Sequence, residues 1–161
     1  MDVKYAKPFV DATVDVLSTM AMITPTVDKP YLKSNNLALG DVSGVIGVTA
    51  GEDMHGVISV TFTKKCAVQI VKNLLGEHIE DVVQDVQDAV GEVTNMISGQ
   101  ARQKLVEMGV TLTAATPSVI MGDNHTISHV TKGRIMVVPF STDFGDFVVE
   151  FSMDGSVGAE D

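Results

Sequence analysis

Asp88, Glu92, Asn95 and Gly99 follow one another by four, three and four residues. At ~100° per residue this spacing gathers them on one face of a helix. The surrounding run from Asp81 to Met108 has helical periodicity: Val83, Val86, Val90, Val93, Ile97, Ala101 and Leu105 form an apolar core stripe on the other side. An acid and an amide on an accessible face can accept and donate hydrogen bonds to whatever approaches. The small residues Gly91, Ser98 and Gly99 border them. Glycine in an exposed helix interior is about 1 kcal/mol less favourable than alanine. Asparagine is also a poor helix former, because its amide competes for backbone hydrogen bonds. Two readings fit this face: a solvated surface, or a surface shaped for close approach.

No other set of reactive side chains competes with this one. His125 and His129 are four apart in an expected strand, ~13 Å at ~3.3 Å per residue, which is too far for one metal. His55 and His78 stand alone near expected turns and read as surface or satisfied histidines. Cys66 falls in an apolar helical stretch and reads as a buried structural thiol. A single cysteine excludes an intrachain disulfide framework and fits a reducing compartment. Cys-His metal spacing, a nucleophile elbow and a phosphate-binding glycine loop are all missing. The glycine-rich Gly44-Val45-Ile46-Gly47-Val48 reads as strand, with no helix start immediately after it.

The elements that must position the long helix read as follows. A first helix runs from about Lys4 to Met20, with Phe9, Val10, Val14, Leu17 and Met20 at helical spacing. Pro25, Pro30 and Lys33-Ser34-Asn35-Asn36 mark a loop enclosing a short strand near Tyr31-Leu32. Val42–Thr49 and Val57–Thr63 alternate as half-buried strands around a Gly51-Glu52-Asp53 hairpin turn. Thr63 caps a helix over Lys64–Leu75, which Gly76 ends, and Gly109 closes the long helix. Strands are expected at Thr111–Thr116, His125–Val130, Arg134–Phe140 and Phe147–Met153. Turns at Gly122-Asp123-Asn124, Lys132-Gly133 and Asp143-Phe144-Gly145-Asp146 separate them. Strands joined by short turns pair antiparallel, so the fold class is α+β, an antiparallel-rich sheet packed against long helices. A length of 161 residues favours one domain, here 1–153, and the Gly-, Ser- and acid-rich stretch 154–161 reads as a disordered acidic tail.

Composition narrows the partners. Apolar residues make up 45%, with no Trp and nine Met, so the core is aliphatic. The net charge of −10, without a Lys or Arg cluster, has the wrong sign for nucleic acid or an anionic membrane. No segment approaches the ~20 apolar residues of a membrane span, and the start Met1-Asp2-Val3-Lys4-Tyr5 lacks a signal-peptide pattern. A cytoplasmic location is expected.

The run from Asp88 through Gly91-Glu92-Val93-Thr94-Asn95 to Ser98-Gly99-Gln100 resembles the signature helix of the CheC, CheX and FliY chemotaxis phosphatases. That signature has Asp or Ser, Glu four on, Asn three further, and Pro about twenty residues later. Pro117 stands at the expected place. On the first helix only Asp11, Asp15 and Ser18 match the spacing, with Gly40 at the proline position, so one intact site is expected, as in the CheX type. The resemblance implies a CheC-like two-layer sandwich that hydrolyses the aspartyl phosphate of a CheY-like response regulator. It implies Asn95 orienting the attacking water and Glu92 reaching the regulator's active-site lysine. Asp88, Ser98 and Gly99 would contact the partner, while Gly91 and Pro117 would shape the site. No cofactor of its own is implied, Mg²⁺ coming from the regulator, and neither is a metal site. A homodimer joined through its sheets is implied too. The rival expectation is a non-catalytic regulator-binding or flagellar-switch scaffold module using the same helix.

Overall fold

The computed structural model describes residues 6–35, 37–52, 54–76, 82–122, 125 and 135–154. Three helices, α1 (Ala6–Met20), α2 (Lys64–Leu75) and α3 (Val82–Glu107), pack on one antiparallel sheet. The strands are β1 (Thr26–Val27), β2 (Tyr31–Lys33), β3 (Val42–Ala50), β4 (Met54–Phe62), β5 (Thr113–Ala114), β6 (Ser118–Met121), β7 (Ile135–Thr142) and β8 (Gly145–Asp154). Their order is β1-β7-β8-β4-β3-β5, with β2 also on β7 and β6 also on β3. The expected α+β class holds, as do both ends of α2 and, to within one residue, the C-terminal ends of α1 and α3, while the expected starts near Lys4 and Asp81 lie outside the described residues. Thr63 accepts from Cys66 N at the start of α2, Gly76 (φ +67°) ends it, and Gly109 (φ +84°) follows α3.

Alternation sends every second strand residue toward the helices. Ile46, Ile58, Val60, Phe62, Val138, Phe147 and Phe151 meet Phe9, Leu17, Ile70, Val90, Val93, Ile97 and Leu105 in one core. The core is not the aliphatic one that composition predicts, because the phenylalanines gather in it: Phe9 packs on Phe151 with ring centroids 4.7 Å apart, and Phe140 stacks on Phe147 at 4.9 Å. Cys66 is fully buried, and burial pushes its thiol up to about 11, so it stays neutral as expected of a structural thiol.

The two ends of the sheet are built alike. At one end, Val27 pairs with Phe140 and Tyr31 with Val137, so residues 28–30 oppose only 138–139. At the other, Ala114 pairs with Val48 and Ser118 with Val45, so 115–117 oppose only 46–47. Each break places a proline, Pro30 or Pro117, just before the second short strand, where its missing N–H interrupts the ladder. Asp28 N to Pro139 O and Ala115 N to Gly47 O are matching bonds, 2.8 and 2.9 Å. The topological counterpart of Pro117 is therefore Pro30, not Gly40. α3 is 26 residues long against 15 for α1, so constant spacing from the helix looks too far along the chain.

Other expectations need adjustment. Thr111–Thr116 contains a strand of only Thr113–Ala114, and β1 and β6 were not anticipated. Asp154 ends β8 instead of opening the tail. Val83 belongs to the anticipated core stripe but is 57% exposed, because it lies in the first turn of α3 beside an open groove between α2 and β6. The strand expected at His125–Val130, apart from His125, the turn at Lys132-Gly133 and the tail from 155 lie outside the described residues, as do His78 and His129. His125 is satisfied: its Nε2 is 2.7 Å from Ser43 Oγ and its Nδ1 is 2.6 Å from Gly122 O.

The face of the sheet turned away from the helices buries polar side chains beside a small apolar cluster of Ile135, Val137 and Val148. Ser43 and Thr61 share a 2.6 Å hydrogen bond, and Ser59 lies opposite Glu150. Lys33 Nζ donates to Glu150 Oε1 at 2.9 Å, with both side chains almost wholly buried. Burial raises the Glu150 carboxyl above its ordinary value, and Lys33 pulls it partly back. Removing one partner of a buried pair strands the other. Lys33→Met should therefore lose about 3 kcal/mol at neutral pH. A carboxyl with a raised folded pKa favours folding most at low pH and loses that contribution as pH rises through the folded value. The loss in Lys33→Met should accordingly shrink in acid, where the Glu150 carboxyl takes up a proton and no longer needs the lysine's charge. Urea unfolding at neutral and mildly acidic pH checks this, and equal losses at both would rule out the ion pair as the cause.

Candidate functional site

α3 presents its faces as its sequence dictates. Val86, Val90, Val93, Ile97, Ala101 and Leu105 are buried, whereas Asp88, Glu92 and Asn95 are exposed. The roll that achieves this is fixed by a close approach to β3. A Cβ at Gly44 would collide with the side chain of Thr94. Thr94 is fully buried, and its hydroxyl donates to Val90 O at 2.6 Å, so it brings no unsatisfied group to the contact.

Across the exposed face lies an open cavity of about 490 Å³. Gln84, Gln87, Asp88, Gly91, Glu92 and Asn95 of α3 form one wall, and Pro117 and Val119 form the other. The two acids and the amide of α3 thus meet a proline from farther along the chain, Pro117. Gly91 stands between helix and strand, where a Cβ would be 3.5 Å from Val119 Cγ2. An alanine would just fit and anything larger would fill the cavity. Gln84 and Gln87 were not anticipated; Gln84 Nε2 donates to Asp88 Oδ1 at 2.9 Å and steadies that carboxylate. Their i, i+4 spacing to Asp88 and Gly91 was the signal available for them.

Ser98 departs from expectation. It was placed on the partner-contacting border but is fully buried, and its Oγ accepts from Arg102 Nε at 3.3 Å. It sits ~80° round the helix from the centre of the face, where a small hydroxyl can turn either way. Gly99 is half-buried below the cavity. On α1, Asp11 is tied to Lys7 at 3.1 Å and Asp15 is exposed.

The cavity wall offers carboxylates and amides, and no thiol, hydroxyl or imidazole. Such a set can hold a cation and orient a water. Among the described residues no cluster of three or more His, Cys, Asp or Glu could hold a metal, and no helix is long and apolar enough to cross a membrane.

A sheet of two matched halves, with one long acid-and-amide helix across it, defines the CheC-like fold. Residues 42–141 match the family described as chemotaxis phosphatase CheX, and this chain belongs to that family. It is similar to the crystal structure of a chemotaxis protein CheX from Desulfovibrio desulfuricans, with 60% identity and a TM-score of 0.88 over 94% of this chain and 99% of that one. It is also similar to the CheX of a CheX–CheY–BeF₃–Mg²⁺ complex from Borrelia burgdorferi, at 27% identity and a TM-score of 0.78, covering 95% and 99% of the two chains. The CheY-P phosphatase CheX of Thermotoga maritima is 24% identical over 142 residues, 88% of this chain and 89% of that protein.

If the Gly44–Thr94 contact sets the helix, Gly44→Ala should destabilise by about 2 kcal/mol, within the usual range for overpacking. Adding Thr94→Ala should recover much of that, a coupling that a double-mutant cycle in urea measures. A neutral Gly44→Ala would show that the contact does not seat α3.

Proposed function

We propose that this chain hydrolyses the aspartyl phosphate of a CheY-like response regulator and so ends its signal. The observation that carries this reading is the single cavity where Asp88, Glu92, Asn95 and Pro117 converge. A cavity so open suits a reacting group that arrives on another protein's surface. An acyl phosphate is already activated, and the regulator's Mg²⁺ and lysine supply charge neutralisation there. This chain's task is to place water in line with phosphorus. The Asn95 carbonyl oxygen accepts a hydrogen bond from that water and turns a lone pair toward phosphorus. Water oxygen bonds to phosphorus, the bond to the aspartyl oxygen breaks, and phosphate leaves with the aspartate carboxylate restored. Glu92 pairs with the regulator's lysine and holds the two proteins in register, with Asp88 at the margin. Kinship with the Thermotoga phosphatase and with the CheY-bound Borrelia protein supports both partner and reaction.

A cytoplasmic homodimer is part of the same reading. β1 and β2 edge the sheet, and Tyr31, Leu32 and Leu37 expose apolar surface beside them. Edges of this kind join copies by continuing a sheet. Sedimentation should show a dimer; a monomer at every concentration would remove that part of the proposal.

Phosphate release from the phosphorylated regulator with Mg²⁺, with and without this chain, tests the activity. Acceleration should fall by about 100-fold or more in Asn95→Ala, with the unfolding midpoint unchanged. An Asn95→Ala variant that still accelerates normally would remove Asn95 from the mechanism. Binding without acceleration by the unaltered chain would leave a non-catalytic regulator-binding module.

A further inference from the structure

Ser98 and Gly99 belong to the pattern on α3, yet neither side chain faces a partner: one is buried and the other is absent. What they share is Arg102. Ser98 Oγ accepts from Arg102 Nε at 3.3 Å, and a Cβ at Gly99 would stand 3.9 Å from Arg102 Nη2. The guanidinium therefore lies over Gly99, with its Nε anchored to a buried hydroxyl. Arg102 is seven residues beyond Asn95, which returns it to within ~20° of the same line and ~10 Å farther along the axis. Lys104, the other cation in the described part of α3, lies on the opposite side, in a groove with Lys7 and Asp11.

Charge sets this position apart. The chain carries −10, and the working face is otherwise acidic through Asp88 and Glu92. Among the described residues, Arg102 has no carboxylate within ion-pair distance. A half-buried arginine held at Nε keeps both Nη groups as a planar fork suited to a carboxylate. Anchoring also lowers the rotamer entropy lost on binding.

We propose that Arg102 is a docking residue, seated by Ser98 and Gly99, that grips a carboxylate on the surface of the response regulator about two helical turns from Asn95. This rests on the reading of α3 as the regulator-binding helix. Glu92 takes a cation at the reacting centre and Arg102 an anion at the periphery, so the two opposite charges fix one docking direction. Arg102 does not touch the reacting atoms, and its loss acts on association.

The test uses the full chain with a CheY-type regulator held in its active form by BeF₃⁻ and Mg²⁺, with titration calorimetry for affinity and phosphate release for turnover. Arg102→Gln should weaken binding and raise KM by about tenfold, in the range of a charged hydrogen bond, with kcat unchanged. Affinity of the unaltered chain should fall as salt rises, and that slope should flatten in Arg102→Gln. Arg102→Lys should recover part of the affinity, because it keeps the charge without the fork. Ser98→Ala should fall between the unaltered chain and Arg102→Gln. Unchanged affinity and salt slope in Arg102→Gln would overturn the proposal, as would a fall in kcat at constant KM. If the unaltered chain binds without turnover, the phosphatase reading fails while the affinity series still decides on Arg102. If it does not bind at all, both fail.

Discussion

The site depends on how α3 is rolled about its axis, and that roll is set where Thr94 lies against Gly44. One residue of helix turns ~100°, so a slip of one position would carry Glu92 or Asn95 into the interior and bring core valines out. Most helix-on-sheet contacts are aliphatic and tolerate sliding. Here a β-branched side chain fills the space above a strand position that has no Cβ, a stop that aliphatic packing lacks. Thr94 is also the residue before Asn95. Burying its hydroxyl at no hydrogen-bonding loss, through Val90 O, directs its neighbour to solvent.

The sheet extends this constraint to the far wall of the cavity. Pro117 and Val119 lie at the start of β6 because the edge ladder on β3 breaks at residues 115–117 and then resumes at Ser118. The same break, with its own proline, occurs at Pro30 on β7. The two halves therefore share one frame, and a site could be framed at either end. What differs is the helix above. α1 offers Asp11, Asp15 and Ser18 where α3 offers Asp88, Glu92 and Asn95. Asp15 is one methylene shorter than glutamate, Ser18 has no amide, and Asp11 is drawn to Lys7. A matched scaffold with the acid-and-amide set on one helix alone is what an internal duplication leaves when one copy keeps the proposed site.

The sequence conveyed the long elements, the short strand at Tyr31-Leu32 and the residues that meet at the cavity, but not β1, β6 or the second face. α3 was readable because six core positions at helical spacing outweigh one misfit, Val83, which belongs to the first turn and overhangs a groove. Asp88, Glu92, Asn95 and Pro117 were readable as a set because helix spacing aligns the first three and a resemblance supplied the fourth. β1 and β6, with two and four residues and little burial, carry no alternation to detect. Lys33 and Glu150 show the deeper limit. Each is an ordinary charged residue in a strand, and only the register of β2 on β7 and β7 on β8 brings them to the same buried spot. Ser98 is of the same kind: a wheel places it on a border, and packing decides the side.

A helix that must be accessible at one end of a protein and rigid throughout faces opposing demands. Exposed helices are held mainly by the packing of their other face, and here that face is continuous from Val86 to Leu105. The exposed side can then accept residues that weaken a helix, Gly91, Asn95 and Gly99, without losing its shape. Local propensity is spent at the site and recovered from the core beneath it, so the positions where the sequence argues against a helix are those the partner is proposed to meet. Gly91 keeps the cavity open toward Val119, and Gly99 lets the Arg102 guanidinium lie close to the helix backbone. The glycines are thus voids that other groups use, and the amide between them is held by a helix whose stability does not depend on it.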